Sequence, residues 1–189
     1  MTDWIARSDV TDAVLSDCVL MFEAATNRRL RVRQMQTTTT LTPSAGSAAL
    51  PTDYLTFRSV TWTGSPAQQL EYVHPDWMRA AYPTADQNTP TVFTIEGLNI
   101  TIRPEDTTNL TLYYWQKVPA LVTNSTNWLL TAHPDVYLNG SLYEVYRYLR
   151  DGEAAQAYYA LREGGYDEIE RLSEKTKAPM AIKVMGYTP

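Results

Sequence analysis

Three pairs of carboxyl side chains lie close enough in the sequence to suggest acid–base chemistry. They are Glu71 with Asp76, Glu105 with Asp106, and Asp151 with Glu153. A glycosidase needs two such groups about 5 to 10 Å apart, one as the acid and one as the base or nucleophile. Each pair, however, falls in a predicted turn or at a predicted helix start, where Asp and Glu are common because they cap backbone amides. We therefore expect no enzyme, and a muralytic activity remains an alternative.

The two histidines of the chain occur in the same tripeptide, as His74-Pro75-Asp76 and His133-Pro134-Asp135. Proline is tolerated at the first helical position, and an acidic residue beside it suits the positive end of the helix dipole. We predict that both tripeptides begin helices. The tripeptide is also the signature of J-domain cochaperones, but there it lies between two helices of a small, basic, all-helical domain.

The sequence contains no glycine-rich phosphate loop, nucleophile elbow or paired-histidine zinc helix. Its single cysteine, Cys18, excludes an intramolecular disulfide and a cysteine-rich metal site. We expect this residue to be a small buried hydrophobe, and we expect neither a metal nor a cofactor.

Four arginines, Arg28, Arg29, Arg31 and Arg33, follow one another where the first predicted helix ends. Arg28 and Arg29 favour the negative end of the helix dipole. Arg31 and Arg33 alternate with Val32, as at the start of a strand that is charged on one face. The cluster is a candidate for a subunit interface or for contact with DNA in a channel, and the sequence leaves both open.

Aromatic residues are concentrated in the second half of the chain. Nine tyrosines lie between residues 113 and 166: Tyr113, Tyr114, Tyr137, Tyr143, Tyr146, Tyr148, Tyr158, Tyr159 and Tyr166. Such a set is typical of a thick core or of an oligomer interface, because tyrosine buries a large area and keeps a polar tip. Stacking on sugar rings by Trp62, Trp115 and Trp128 would instead make a carbohydrate-binding module.

The chain has 189 residues and a net charge of -5. This length suits one domain with a protruding arm. The acidic balance argues against a protein that wraps DNA, which needs a basic face, but an acidic bore would let DNA pass without holding it. No secretion leader or membrane span is visible, so we expect a soluble protein made in a bacterial cytoplasm, with no membrane partner.

Hydrophobic periodicity predicts an α+β fold with three parts. An amphipathic helix over residues 9–28, capped by Ser8, buries Val10, Val14, Cys18 and Met21 and leaves Glu23 on the other face. A central antiparallel β region covers residues 34–116 and includes a hairpin over residues 91–103. A C-terminal helical bundle follows over residues 134–177.

Two positions in the predicted bundle depend on glycine. Gly140 lies inside the helix that begins at Pro134, where it should permit close backbone packing. The adjacent Gly164 and Gly165 should end or kink the next helix, and Asp167 should cap a fresh helix that runs to about residue 177.

We predict that residues 178–189 form an extended C-terminal arm, separate from a single α+β domain over residues 1–177. The arm is apolar apart from Lys183. Its candidate contacts with a portal or a neighbouring subunit are Met180, Ile182, Val184, Met185 and Tyr187. An apolar tail needs a cover, either on its own domain or as a strand added to another chain.

The order of short sequence blocks resembles the head-to-tail adaptor, or connector, proteins of tailed bacteriophages. After the arginine cluster come Gln36-Thr37-Thr38-Thr39-Thr40-Leu41-Thr42, Ala49-Leu50-Pro51-Thr52-Asp53-Tyr54-Leu55 and Phe57-Arg58-Ser59-Val60-Thr61-Trp62. The later blocks are Leu70-Glu71-Tyr72-Val73, Leu112-Tyr113-Tyr114, Asn127-Trp128-Leu129-Leu130 and Asp135-Val136-Tyr137-Leu138-Asn139-Gly140. The resemblance covers roughly residues 8 to 163.

This resemblance implies a virion protein at the head–tail junction. It implies a ring of about twelve copies that binds the portal protein above and a tail tube or nozzle protein below. Double-stranded DNA would pass through the ring. The resemblance also implies that the helical part builds the ring wall and that the C-terminal segment reaches the portal, while the β region faces the tail.

Overall fold

The computed structural model describes residues 10–175 and contains five α-helices and seven β-strands in that range. In chain order they are α1 (Asp12–Arg29), β1 (Gln36–Leu41), β2 (Ser47–Ala49), β3 (Tyr54–Trp62), β4 (Gln68–Tyr72), α2 (Pro75–Ala81), β5 (Val92–Glu96), β6 (Asn99–Arg103), β7 (Leu110–Gln116), α3 (Trp128–Ala132), α4 (Pro134–Tyr148) and α5 (Gly152–Lys175). The predicted α+β class is confirmed.

These elements fall into two compact units. The first is helical and comprises the residues up to 33 and from 120 onward, and the second is the β unit, residues 34–119. The single domain over 1–177 and the arm over 178–189 stay predictions, because residues 176–189 lie outside the described range.

Helix α1 differs from its prediction at the N-terminus and on one face. The helix begins at Asp12 with Thr11 as its N-cap, whose hydroxyl accepts a hydrogen bond from the Val14 amide at 3.5 Å. The predicted cap Ser8 lies outside the described residues. Cys18 is buried as expected, whereas Met21 is 49% exposed and Glu23 is buried. The assignment of faces was therefore wrong at Met21 and Glu23.

Helix α4 packs closely against α1 through Gly140. A Cβ atom at this position would overlap the ring of Phe22, so the predicted close packing is confirmed. Leu142 and Val145 are fully buried and form a cluster with Val10 and Cys18. This face of α4 therefore packs into the helical core.

Helix α5 runs unbroken through both glycines, contrary to the predicted break and fresh start at Asp167. Gly165 lies where a Cβ atom would overlap Val136 of α4, and Gly164 has open space around it. Glycine is therefore needed at position 165 for the contact between α4 and α5, and neither glycine ends the helix.

The β unit is a seven-stranded sheet in the order β1-β7-β3-β4-β5-β6-β2. Five of its pairings are antiparallel, but β4 and β5 are parallel, so the predicted antiparallel region is corrected to a mixed sheet. The connection between β4 and β5 carries α2, which lets the chain return in the same direction. The predicted hairpin is confirmed as β5 and β6, with Gly97 in the turn at φ +60°.

Strand β7 lies inside the sheet, and its side chains alternate between a buried and a more exposed face. Leu110, Leu112 and Tyr114 are buried in the sheet's core, and Tyr113 on the opposite face is 37% exposed. The Tyr114 hydroxyl donates a hydrogen bond to Asp53 at 3.0 Å. Burial, together with this hydrogen bond to a carboxyl group, raises the pKa of Tyr114 to about 12.

Tyr114 should make the β unit sensitive to alkali. The folded state holds the phenol proton more tightly than the unfolded chain, whose tyrosine pKa is about 10. The stability from this group is therefore complete below about pH 10 and is lost as the pH rises toward 12. Urea unfolding measured from pH 8 to pH 11.5 should show this loss, and Tyr114→Phe should flatten it. Tyr113→Phe is the matched control, and an equal flattening in both variants would contradict the assignment.

Candidate functional site

The carboxyl pairs that suggested catalysis are engaged in structural contacts. Asp76 forms an ion pair with Arg79 at 2.5 Å, and Glu105 forms one with Arg103 at 3.2 Å. Asp151 accepts a hydrogen bond from the amide of Ala154 in the first turn of α5, at 3.1 Å. These contacts account for Asp76, Glu105 and Asp151 by capping and by local charge pairing.

Asp106 is held in a turn by several donors. Its carboxyl group accepts hydrogen bonds from the Trp62 indole at 2.6 Å and from the amides of Thr107 and Thr108 at 2.7 and 3.2 Å. Burial alone would raise the pKa of Asp106, but the hydrogen bonds from Thr108, Trp62 and Thr107 outweigh it and hold this pKa below its usual value. Such a group is an ionised anchor of the turn and a poor general acid.

Both His-Pro-Asp tripeptides begin helices, as predicted. His74 caps α2 and accepts a hydrogen bond from the Asp76 amide at 3.3 Å, with Pro75 in the first turn. His133 precedes α4, with Pro134 in the first turn, and makes no side-chain cap hydrogen bond there. Helix initiation explains the repeated tripeptide.

Two arginines of the cluster, Arg29 and Arg31, make contacts within the helical unit. Arg29 forms ion pairs with Asp167 at 3.2 Å, with Glu163 at 4.0 Å and with Glu170, all on α5. Hydrogen bonding to Glu170 raises the pKa of Arg29. Arg31 donates to the carbonyls of Asn27 and Leu30, each at 2.6 Å. Arg29 thus joins α1 to α5 within the helical unit.

Arg28 and Arg33 are exposed, and neither forms an ion pair with any residue in the range 10–175. The backbone amide of Arg33 donates to the hydroxyl of Ser173 at 3.1 Å. Among the four arginines, Arg28 and Arg33 therefore remain the better candidates for contact with a neighbour or with DNA.

Three tyrosines of the helical unit lie around the side chain of Arg162. The buried Arg162 guanidinium lies over the rings of Tyr143, Tyr159 and Tyr166, at 4.6, 4.8 and 5.6 Å from their centroids. It also forms an ion pair with Glu163 at 2.8 Å. Tyr166 is buried and hydrogen-bonded to Thr26 at 2.6 Å, whereas Tyr159 is 37% exposed. The tyrosines around Arg162 therefore include a buried core residue and a partly exposed one.

The two tryptophans of the β unit that were considered for sugar stacking do not form one platform. Trp62 on β3 is buried and faces the sheet's core. Trp115 on β7 lies on the opposite face of the sheet, with the guanidinium carbon of Arg58 5.8 Å from its ring centroid. Trp128 belongs to the helical unit, and its buried indole N–H has no hydrogen-bond partner among residues 10–175. The geometry of these residues does not favour a carbohydrate site.

Several sequence-predicted contacts lie outside the described range. These are the candidates of the C-terminal arm, Met180, Ile182, Val184, Met185 and Tyr187. Within residues 10–175, no three His, Cys, Asp or Glu side chains come together as a group that could hold a metal. In the same range, no helix has both the length and the apolar character needed to cross a bilayer.

Comparison with protein families matches nearly the whole chain to one family. Residues 2–183 match the family described as SU10 adaptor protein. This chain belongs to the SU10 adaptor protein family. The resemblance to phage head-to-tail adaptors is thereby confirmed, and the adaptor is a structural component of a bacteriophage virion that works among other head and tail proteins. No curated protein matches the adaptor.

The sequence analysis missed a buried polar contact in the adaptor. Glu23 accepts hydrogen bonds from the Tyr137 hydroxyl and from the Leu121 amide, the latter at 2.9 Å. The hydrogen bond from the Leu121 amide holds the loop that contains Leu121 against α1, and the next residue in the loop, Val122, is 63% exposed. An apolar groove lined by Leu15, Val19, Leu121 and Val122 lies between this loop and α1. No local pattern indicates this contact, because glutamate is normally a surface residue of a helix.

The second missed feature is the free edge of β1. The threonine-rich segment was correctly predicted as a strand, but its place at the end of the sheet was not predicted. This placement depends on which strands pair, and strand pairing is not a local property of the sequence.

Proposed function

We propose that the adaptor assembles into a ring of about twelve copies that joins the portal to the tail and extends the DNA channel. The observation that carries this proposal is the family match over residues 2–183. The ring would bind the portal protein on one side and a tail tube or nozzle protein on the other. Its role would be mechanical, without catalysis and without a cofactor.

Surface features of the helical unit support contact between copies. Leu20 and Met21 are adjacent on α1 and are 40% and 49% exposed, so they offer apolar area to a partner. Arg28 and Arg33 add charge near the same helix. Exposed apolar side chains with charged residues nearby are the composition expected of an interface with a polar rim.

The net charge supports a channel that DNA passes through. At -5 per copy, a ring accumulates strong negative charge. A negative bore repels phosphates and lets double-stranded DNA slide, whereas a basic bore would retain it. Transient passage of DNA is therefore the nucleic-acid contact that we propose.

The proposed function is tested by the native mass of the purified adaptor, alone and mixed with the portal ring encoded by the same genome. We expect a complex that carries about one adaptor per portal subunit. A persistent monomer that ignores the portal would contradict the proposal. In that case, peptidoglycan clearing by the chain, compared with Glu71→Gln and Asp76→Asn variants, would test the muralytic alternative. Tryptophan quenching by sugars would test the carbohydrate-binding one.

A further inference from the structure

Strand β1 forms one end of the seven-stranded sheet and pairs on one side only. It pairs with β7 over six consecutive positions, from Gln36 opposite Trp115 to Leu41 opposite Leu110. This register has no bulge, in contrast to the pairing of β3 with β7. Among residues 10–175, no strand pairs with the other side of β1.

This edge lacks the features that usually protect the end of a sheet. Exposed edges are normally short, charged, interrupted by proline or twisted by a bulge, because their unpaired N–H and C=O groups are templates for another strand. The opposite edge, β2, has only three residues. The six residues of β1 are Gln, four Thr and Leu, with no charge and no proline, and threonine has a high strand propensity.

The two faces of β1 define what an added strand must carry. Thr37, Thr39 and Leu41 lie opposite the buried residues of β7 and share the core face of the sheet. Gln36, Thr38 and Thr40 share the outer face. A strand added beside β1 would therefore bury apolar residues at every second position and present polar or mixed residues at the others.

The C-terminal segment has apolar residues at every second position and a mixture at the others. Met180, Ile182 and Val184 occupy every second position, and the positions between them hold Ala181, Lys183 and Met185. Residues 176–189 follow the last described helix, and at about 3.3 Å per extended residue they reach roughly 45 Å. An extended segment of that length is about twice as long as the six-residue strand β1, which spans about 20 Å.

We propose that the free edge of β1 receives residues 180–185 of a second copy of the adaptor as an added strand. This inference deepens the proposed function and rests on it, since a ring places a second copy beside every first one. Backbone hydrogen bonds to β1 supply the binding energy, and the alternating apolar residues fix the register. Around a closed ring, many such weak contacts add up to a stable assembly.

The test is hydrogen exchange on the full-length adaptor with two matched proline variants, Ile182→Pro and Lys183→Pro. In a strand at the edge of a sheet, alternate N–H groups point toward the neighbour and away from it. One of the two variants therefore removes a hydrogen bond to β1, and the other removes an N–H that faces solvent. We expect the outward amides of residues 36–41 to be protected in the assembled wild type and in one variant only. The other variant should also assemble about tenfold more weakly.

Three outcomes would overturn the inference. Equal protection in the wild type and both variants would show that the segment does not pair with β1. Equal loss in both variants would indicate apolar docking without strand pairing. Protection that persists in a dilute monomer would place the segment on its own copy. The proposed function is tested separately, by the native mass of the wild-type adaptor mixed with the portal. Its failure would therefore be distinguished from failure of the strand pairing.

Discussion

Gly165→Ala should destabilise the adaptor by about 1–3 kcal/mol, whereas Gly164→Ala should stabilise it by up to about 1 kcal/mol. Both residues lie inside α5, so alanine improves the helix propensity at each. Only at Gly165 does the added methyl group overlap Val136 of α4. Valine is stiff at χ1, so it cannot move away cheaply and the helices must separate.

Urea unfolding monitored by circular dichroism measures both variants under the same conditions. Gly140→Ala is a second test at an independent contact, where the methyl group would overlap Phe22, and it should destabilise as Gly165→Ala does. Stabilisation by Gly165→Ala of the same size as by Gly164→Ala would show that α4 and α5 do not approach as closely as described.

Tyr137→Phe should cost about 2–3 kcal/mol of folding free energy, although it removes a single oxygen atom. The lost hydroxyl donates to Glu23, whose carboxyl group is buried and whose second oxygen has no partner within the described residues. Burial and the hydrogen bond to Glu23 raise the pKa of Tyr137, so the phenol stays protonated and remains a donor at neutral pH. A buried carboxyl group that loses a donor is costly because water cannot replace it.

A double-mutant cycle separates this interaction from the loss of packing. In a Glu23→Leu background, Tyr137→Phe should cost much less, because no carboxyl group is left without a donor. Tyr146→Phe is the matched control, since Tyr146 stacks on Tyr158 at 5.3 Å through its ring and not through its hydroxyl. A cost for Tyr137→Phe that is the same in both backgrounds would contradict the coupling between Glu23 and Tyr137.

The elements whose signals are local were predictable from the sequence. Pro75 and Pro134 mark helix starts because proline fixes φ and lacks an N–H that the first turn does not use. The hairpin of β5 and β6 follows from strict alternation around a glycine turn, and the two faces of β7 follow from the same period. Gly140 could be predicted as a close contact because an interior glycine needs a reason to be retained.

The predictions from the sequence were wrong where contacts with residues distant in the chain determine the structure. Gly164 and Gly165 were predicted to break a helix, but Val136, far away in the sequence, gives Gly165 its role and the helix continues. Glu23 was placed on the solvent face, although Tyr137 and Leu121 make it a buried acceptor. The parallel pairing of β4 with β5 likewise depends on the path of the chain through α2.

The interface candidates stay predictions, and the structure only sorts the arginines among them. Composition identified the arginine cluster, but only the structure separates Arg29, which is bound to α5, from the exposed Arg28 and Arg33. The apolar composition of the C-terminal arm suggested a cover on its own domain or an added strand on another chain, and β1 became the proposed acceptor only when the structure placed it at the end of the sheet. Strand order is a tertiary property and carries no local signal.

The central claim is that this adaptor forms the ring between the portal and the tail. Its most direct test is a localised cryo-electron microscopy reconstruction of the head–tail junction of the virion encoded by the same genome. We predict a ring of about twelve adaptor copies directly below the portal, with an extended segment of each copy along strand β1 of the next. Density for the adaptor at the tail tip or in the fibres, with none between the portal and the tail, would contradict the account.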